Sequence, residues 1–576
     1  MKKSIVSVAL LLGIAFSCKD SFLETAPYGS TNEAVLSSNE KGADALLIAA
    51  YSNLDGFSGW ENGTPWGSAA SDWTFGSIAG GDAYKGSEAN DQPDITPIER
   101  HEANENNPYL EAYWRTYYDG IARCNKAINA WAALKEKGTV TADKADKRLG
   151  EAKFLRGYYH LNLTKHFGKV PFIDETLSDV RIGNETDITP KIKEDLDFAI
   201  SKLPTSHPGE PGRATKGAAQ VVRAYTELWA GNYSAAKTYL DAVIASGVYS
   251  LNATFHENFN PAYRNTSESV LEVQQSVNNG TDDNANNGDV LNFPYNGGPG
   301  GCCGFHQPSQ NLVNAFKTTG TGVPDISGYN SSDVTSDQGV APTDNTYVPY
   351  AGQLDPRLDW TVGRRGIPYL DWGKHPGAAW IRDQVYGGPY SPIKNVYYKS
   401  QEGTNTTTSG WTKGFNNNNV KLIRYADVLL MAAECEVEAN NLSKAQEYVN
   451  KVRKRAANPA GFVKDGSANA ANYVVREYTA GEAGFFDNQA NARAAVRFER
   501  RLELGMEGNR FFDLVRWGVA AAEKNAYFAT EKSKRTYLNG AAFVAGKDEV
   551  VPIPRKAITQ SAKDGVPTLK QNQAGS

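Results

Sequence analysis

Residues 215–247 read TKGAAQVVRAYTELWAGNYSAAKTYLDAVIASG, and their spacing decides the fold. Ala218, Val221, Val222, Tyr225, Leu228 and Trp229 recur at three- and four-residue steps, the period of one face of an α-helix. Thr215 precedes them as a good N-cap, and Gly231-Asn232 ends the run. Ser234 is placed to cap a second helix, with Ala236, Leu240 and Val243 on one face and a stop at Gly247. A tight turn joins the two, and the small Ala236 lets them approach closely.

Gly231, Tyr233 and Ala236, in Gly-x-Tyr-x-x-Ala order, look like a tetratricopeptide unit. A second pair reads Tyr425 to Ala439, a break at Asn440-Asn441, then Ser443 to Ala456. Its second helix carries Ala445, Tyr448, Val449, Val452 and Ala456 on one stripe. The pattern predicts two longer helices, over Pro108 to Trp131 and Asp143 to Phe167. The units lie far apart, so they make no tandem array. The expected fold is mainly α: tetratricopeptide-like helix pairs forming one scaffold, over about residues 108–275 and 420–525. Strands are expected to be short and confined to the irregular regions, as near Val270 to Gln274.

Residues 55–107 and 277–420 differ in kind, being rich in Gly, Asn, Asp, Ser and Pro. Loops this long in a compact protein are functional or disordered. They hold Trp60, Trp66 and Trp73 in the first region, and Trp360, Trp372, Trp380 and Trp411 in the second. Disordered segments are poor in aromatics, so both regions are expected to fold.

The chain opens with Lys2 and Lys3, an apolar run from Ile5 to Phe16, then Ser17-Cys18 and the polar Lys19-Asp20. This reads as a signal peptide over residues 1–17, with the body over residues 18–576. The run is too short to span a bilayer, which needs roughly 20 residues. A cysteine directly after the small residue looks like a bacterial lipobox, with Cys18 as the lipidated first residue of the mature chain. The other reading is ordinary cleavage with an incidental cysteine. Anchoring is then by acyl groups.

The net charge is −5, with no long basic block, which argues against a nucleic-acid partner. Cys124, Cys302, Cys303 and Cys435 fit no zinc spacing. Cys435 reads as a small core hydrophobe, and Cys302-Cys303 either pair with each other or stay free. Residues 283–289 read DNANNGD, similar to a calcium loop, but Ala285 stands where a ligand is needed and no glutamate closes it. A polar turn is the preferred reading, so no cofactor or metal is expected, calcium being the one candidate. No metal-binding His pair, Gly-x-Ser-x-Gly elbow or phosphate-binding loop occurs, and no catalytic residue is assigned.

Several separated segments together resemble a known family. Trp114, Tyr118, Ile121 and Asn125 are followed by residues 151–159, EAKFLRGYY, and 166–171, HFGKVP. Residues 423–434 read IRYADVLLMAAE, with VNKVR at 449–453. Residues 499–504, ERRLEL, precede EGNRFFDLVRW at 507–517, and Pro552-Ile553-Pro554 and Gln571-Asn572 close the set. In this order, behind a lipobox, they resemble the SusD/RagB family, surface glycan-binding lipoproteins of Bacteroidetes nutrient uptake. The last segment departs from the family in lacking prolines around Gln571-Asn572.

The resemblance implies a lipid-anchored protein on the outer membrane, facing outwards and binding a glycan or oligosaccharide. It also implies a partner, a SusC-like TonB-dependent transporter over which the protein sits as a lid. The alternative is an exported glycoside hydrolase or other polysaccharide-degrading enzyme on an unusual helical scaffold.

The charges within the motifs read as structure. Arg510, Asp513 and Arg516 stand at i, i+3 and i+6, so Asp513 can pair with either arginine. Glu503 and Glu507 face one way, and Arg424 and Asp427 join the same kind of network. Trp114, Trp131, Trp229 and Trp517 lie on helical stripes and are assigned to packing, and Trp360, behind Asp355-Pro356-Arg357, is assigned to structure. A sugar ring offers an apolar C–H face and a hydroxyl edge, which suits an aromatic plane flanked by polar side chains. Ligand is therefore expected where the two irregular regions meet. Trp66, Trp73, Tyr369 and Trp372 are the expected stacking surfaces, and Asn62, Asp72 and Arg382 the polar contacts.

Overall fold

Helix α2 (Pro108–Glu136) begins with proline at its first position, where the missing N–H costs nothing, and Asn107 caps Tyr109 N. Helix α3 (Ala142–Phe167) starts at Thr141, whose hydroxyl accepts from Lys144 N, and ends at Gly168 in left-handed backbone. The two cross closely because Gly120 has no side chain: a Cβ there would stand 2.8 Å from the Tyr159 ring. The computed structural model describes residues 36–59 and 63–572, so Cys18 and Asn62 lie outside the described residues.

From this centre a continuous array of helices runs both ways. Helix α1 (Glu40–Ser52) packs on α2, and α3 packs on α4 (Thr189–Lys202). Then follow α5 (Lys216–Trp229), capped by Thr215 Oγ1 on Ala218 N, and α6 (Tyr233–Ala245). Helix α6 packs on α7 (Tyr425–Glu438), far ahead in sequence, and α7 packs on both α8 (Leu442–Ala456) and α9 (Gln489–Leu504). The mainly helical, paired-helix scaffold is as expected. Three details differ. Helices α1 and α4 extend the array beyond the stretches singled out by periodicity. The second helix of the first pair starts after Asn232, not at Ser234. Helix α2 also runs to Glu136, past Trp131.

The motif charges form a network inside the array. Arg424 holds Glu268, Glu503 and Glu507; Arg455 holds Glu268 and Glu503; Arg357 holds Asp355, Glu499 and Glu503; Arg453 holds Glu499. All are buried. Burying a charge is costly unless it is paired and hydrogen-bonded, and here every carboxylate meets a guanidinium. Helix α10 (Arg510–Arg516) corrects one pairing: Asp513 binds Arg516 and Arg500, whereas Arg510 turns to Glu523 on α11 (Ala520–Glu531).

The strands are short and come in antiparallel pairs. β1 (Ala83–Gly86) pairs with β3 (Phe305–Pro308) in the register Ala83↔Pro308, Tyr84↔Gln307, Gly86↔Phe305. This ladder joins the first irregular region to the second. β2 (Ser269–Val273) pairs with β6 (Val420–Arg424), from Ser269↔Arg424 to Val273↔Val420. β4 (Val362–Gly363) pairs with β5 (Ser391–Pro392) within the second region. Strands are not confined to the irregular regions: the β2–β6 ladder lies at the base of the second one, and a small hairpin, β7 (Lys464–Asp465) with β8 (Ala468–Asn469), lies beyond it.

Candidate functional site

The β1–β3 ladder delivers two chain segments to one place. After β1, residues 87–92 turn outwards, with Ser87 and Gln92 in left-handed backbone. Before β3 lies the glycine-rich run from Asn296 to Gly301, ending at Cys302–Cys303, which are bonded to each other. Arg382, from the second region, ties them together. Its guanidinium donates to Asp91 Oδ2 at 2.6 Å, Glu88 Oε1 at 2.6 Å and Ser87 Oγ at 3.2 Å. It also stands 5.2 Å from the Tyr295 ring centre.

Trp66 joins through Gln92, whose Oε1 accepts from Trp66 Nε1 at 3.2 Å and from the Tyr109 hydroxyl at 2.8 Å. Tyr295 N donates to Trp380 O, and Gly298 packs against the Trp380 indole, where a Cβ would stand 3.1 Å from the ring. On the other side of the loop, Gly300 N donates to the Tyr397 hydroxyl oxygen and Thr412 Oγ1 donates to Gly300 O. Trp372 Nε1 donates to Tyr397 O at 3.1 Å, and Trp411, next to Thr412, is 58% exposed. The glycine-rich loop thus follows Tyr295 in the chain, touches Trp380 at Gly298, and is tied at Gly300 to Tyr397, which accepts from Trp372, and to Thr412, the neighbour of Trp411. Trp66, Tyr295, Trp372, Trp380 and Arg382 are half-buried.

Two expected stacking residues belong elsewhere. Trp73 is fully buried, donates from Nε1 to Gly288 O at 2.9 Å, and packs against Phe305 and His306. It opens a π-helix, Trp73–Ile78, that lies on the scaffold because Gly76 permits contact with the Gly508 backbone. The run of Trp73, Phe75, Ile78 and Ala79 was the available signal for burial. Tyr369 is fully buried too, bonded to Pro392 O and filling the space left by Gly363. Neither ring has a face to offer a ligand. Asp72 is turned inwards, its Oδ1 at 3.1 Å from His166 Nε2 of α3, so it links the face to the scaffold. Trp360 is structural, as expected, bonded to Gly461 O and stacked on His256.

Tyr295 and Trp411 were not singled out by sequence reasoning. Each stands beside Gly, Asn, Ser or Thr in an irregular stretch, but Phe293 two residues before Tyr295 and Phe415 four residues after Trp411 mimic strand and helix spacing, so the local pattern gave no clear signal. The DNANNGD stretch is a turn: Asn287 Nδ2 donates to the carbonyls of Asp282, Asp283 and Ala285. Among the described residues no helix is long and apolar enough to cross a membrane.

A family model described as "SusD family" matches residues 267–574, and one described as "Starch-binding associating with outer membrane" matches residues 21–225. SusD-like protein P25 of Formosa agariphila is 24% identical over 542 residues, covering 90% of each chain. A SusD superfamily protein of Bacteroides vulgatus has a similar structure, with a TM-score of 0.67 at 20% identity, covering 93% of this chain and 99% of that one. Surface glycan-binding protein A of Bacteroides thetaiotaomicron, solved in complex with laminarihexaose, is similar with a TM-score of 0.62 at 19% identity, covering 92% and 99%.

Proposed function

The chain belongs to the SusD family, and on that premise we propose that it is a non-catalytic surface lipoprotein that captures a glycan or oligosaccharide and delivers it to a SusC-like TonB-dependent transporter. The observation that carries this reading is the glycine-rich loop with part-exposed aromatics on it or on the residues that hold it: Tyr295 and Trp380 directly, Trp372 through Tyr397, and Trp411 beside Thr412. A flat run of glycines lets a sugar approach the backbone, and the flanking rings supply planes for its C–H faces. Arg382, held by Glu88 and Asp91, presents polar edges for hydroxyls. Two carboxylates around one guanidinium leave no surplus positive charge, which favours a neutral glycan over a sulfated or uronate one.

The similarity to a glycan-binding protein solved with a glucan hexamer supports the ligand class. The family description that mentions the outer membrane supports the location, with acylated Cys18 as the anchor. Affinity electrophoresis of the detergent-extracted chain through gels containing laminarin, starch, xylan or alginate tests the reading, with reducing ends assayed in parallel. Retardation by a neutral polysaccharide without new reducing ends is expected. Turnover would restore the hydrolase reading, and retardation by none would sink the binding one. Cys18→Ala should move the protein from the membrane to the soluble fraction, and co-purification from native membranes should recover a barrel partner.

A further inference from the structure

Ser71, Asp289, Asn292, His306, Lys394 and Met506 line a cavity of about 20 Å³ between the two irregular regions and the end of α9. That is room for one water-sized occupant. Asp289 Oδ2, Asn292 Oδ1 and His306 Nε2 are buried without a hydrogen-bond partner among the protein's groups. The three residues are 7%, 8% and 6% exposed. Three residues that each carry an orphaned buried polar atom line one small cavity, whereas buried polar groups ordinarily find partners.

The neighbouring bonds sharpen the point. Asp289 Oδ1 is already taken, accepting from the Ser71 hydroxyl and from Asn292 Nδ2, which turns the Asn292 oxygen away from that bond. Among the described residues no Lys or Arg forms an ion pair with Asp289. Lys394 reaches the same cavity, but its ammonium is committed to Glu503 O, Gly505 O and Glu507 Oε1. A buried carboxylate with a free oxygen and no cation beside it is costly. The calcium-like stretch therefore delivers only its last residue, Asp289, to a place where a positive charge is missing.

We infer that this cavity is a site for one divalent cation, held by Asp289 Oδ2, Asn292 Oδ1 and His306 Nε2. Carboxylate, amide oxygen and imidazole together suit Mn²⁺ or Zn²⁺; the imidazole is a poor ligand for Ca²⁺ and Mg²⁺, which take oxygen. The ion would clamp the Asp289–Asn292 turn, three residues from Tyr295, to His306 of β3, while Ser71 of the first region already holds Asp289 by its hydroxyl. It is independent of the glycan reading, because its readouts need no glycan.

The test uses the detergent-extracted full chain, stripped with a chelator and then given Mn²⁺, Zn²⁺, Mg²⁺ or Ca²⁺ singly. Elemental analysis should find close to one Mn or Zn per chain, with a rise in unfolding temperature that Mg²⁺ does not reproduce. Asp289→Asn should abolish both, and Asn292→Asp, which adds a charged ligand of the same size, should tighten binding at least tenfold. If no ion is retained and no cation moves the unfolding temperature, the cavity holds a water and the proposal is overturned. Equal retention by Asp289→Asn would overturn it as well, and so would an Asn292→Asp variant with unchanged or weaker affinity.

Discussion

The helical array and the irregular face both bury most of their residues, but they treat polar groups in opposite ways. In the array, Arg424, Arg453 and Arg455 turn inwards and close on Glu268, Glu499, Glu503 and Glu507, joined by Arg357 reaching in from the second irregular region, so these charges are satisfied internally. On the face, Arg382 is a quarter exposed and meets carboxylates that are themselves reached by water, while Trp411 has its ring mostly in solvent. A protein that spends its charges inside and leaves its aromatics and amides outside has a rigid frame and a receptive surface. The frame is where substitutions should cost stability, and the face is where they should cost affinity.

The first way to break that contrast is Arg424→Ala, which takes a buried guanidinium from Glu503, Glu507 and Glu268 and leaves them to Arg357, Arg455 and Lys394. The expected loss is about 3–5 kcal/mol of stability, read by denaturant unfolding; a loss under about 1 kcal/mol would show that the network is not what holds the array. Trp73→Ala comes next, at about 3 kcal/mol, because it empties a fully buried indole. It sharpens the contrast by showing that the face has a core of its own. Trp411→Ala and Trp372→Ala should each weaken binding of the identified glycan by about 1–3 kcal/mol in calorimetry, by analogy with aromatic stacking on other planar ligands, with unfolding unchanged. Equal affinity in both would remove these aromatics from the site.

The smallest effect is in acid. Burial alone would raise the Glu503 carboxyl, but Arg455, Arg424 and Arg357 outweigh it and hold it well below its ordinary 4.5. A carboxylate depressed in the folded state contributes stability above its unfolded pKa and loses it as pH falls. Unfolding midpoints should therefore be steady from pH 7 to about 5 and fall below about 4.5, and the fall should be shallower in Glu503→Gln, with Glu507, Asp513 and Asp355, also held below their ordinary values by arginines or a lysine, supplying the rest.

The frame was legible in the sequence because its contacts are periodic. Val221, Leu228, Val449 and Val452 announce buried stripes by spacing alone, and Thr215 and Gly231 mark where one helix begins and ends. The face was legible only as a place. Whether Trp73 is core or platform depends on Phe305 and His306, more than two hundred residues away, and no local pattern carries that. Tyr369 is decided by a missing side chain at Gly363, and Trp411 by having only Phe415 packed on it edge-on while most of the residue stays exposed. Arg382 and Trp66 could be picked from composition, but their partners Asp91 and Gln92 could not.

The β2–β6 ladder has a consequence for how such a protein diversifies. Val273 faces Val420, so the chain leaves the scaffold and returns to it at neighbouring points, and everything from 274 to 419 is an excursion with its two ends already tied. Closing a loop costs little more as it lengthens. The excursion can therefore be lengthened, shortened or exchanged between paralogues while the frame keeps its register, provided that the cations it lends to the frame, Arg357 on Glu499 and Glu503 and Lys394 on Glu507, are kept. A chimera that carries another chain's excursion on this base should inherit that chain's ligand.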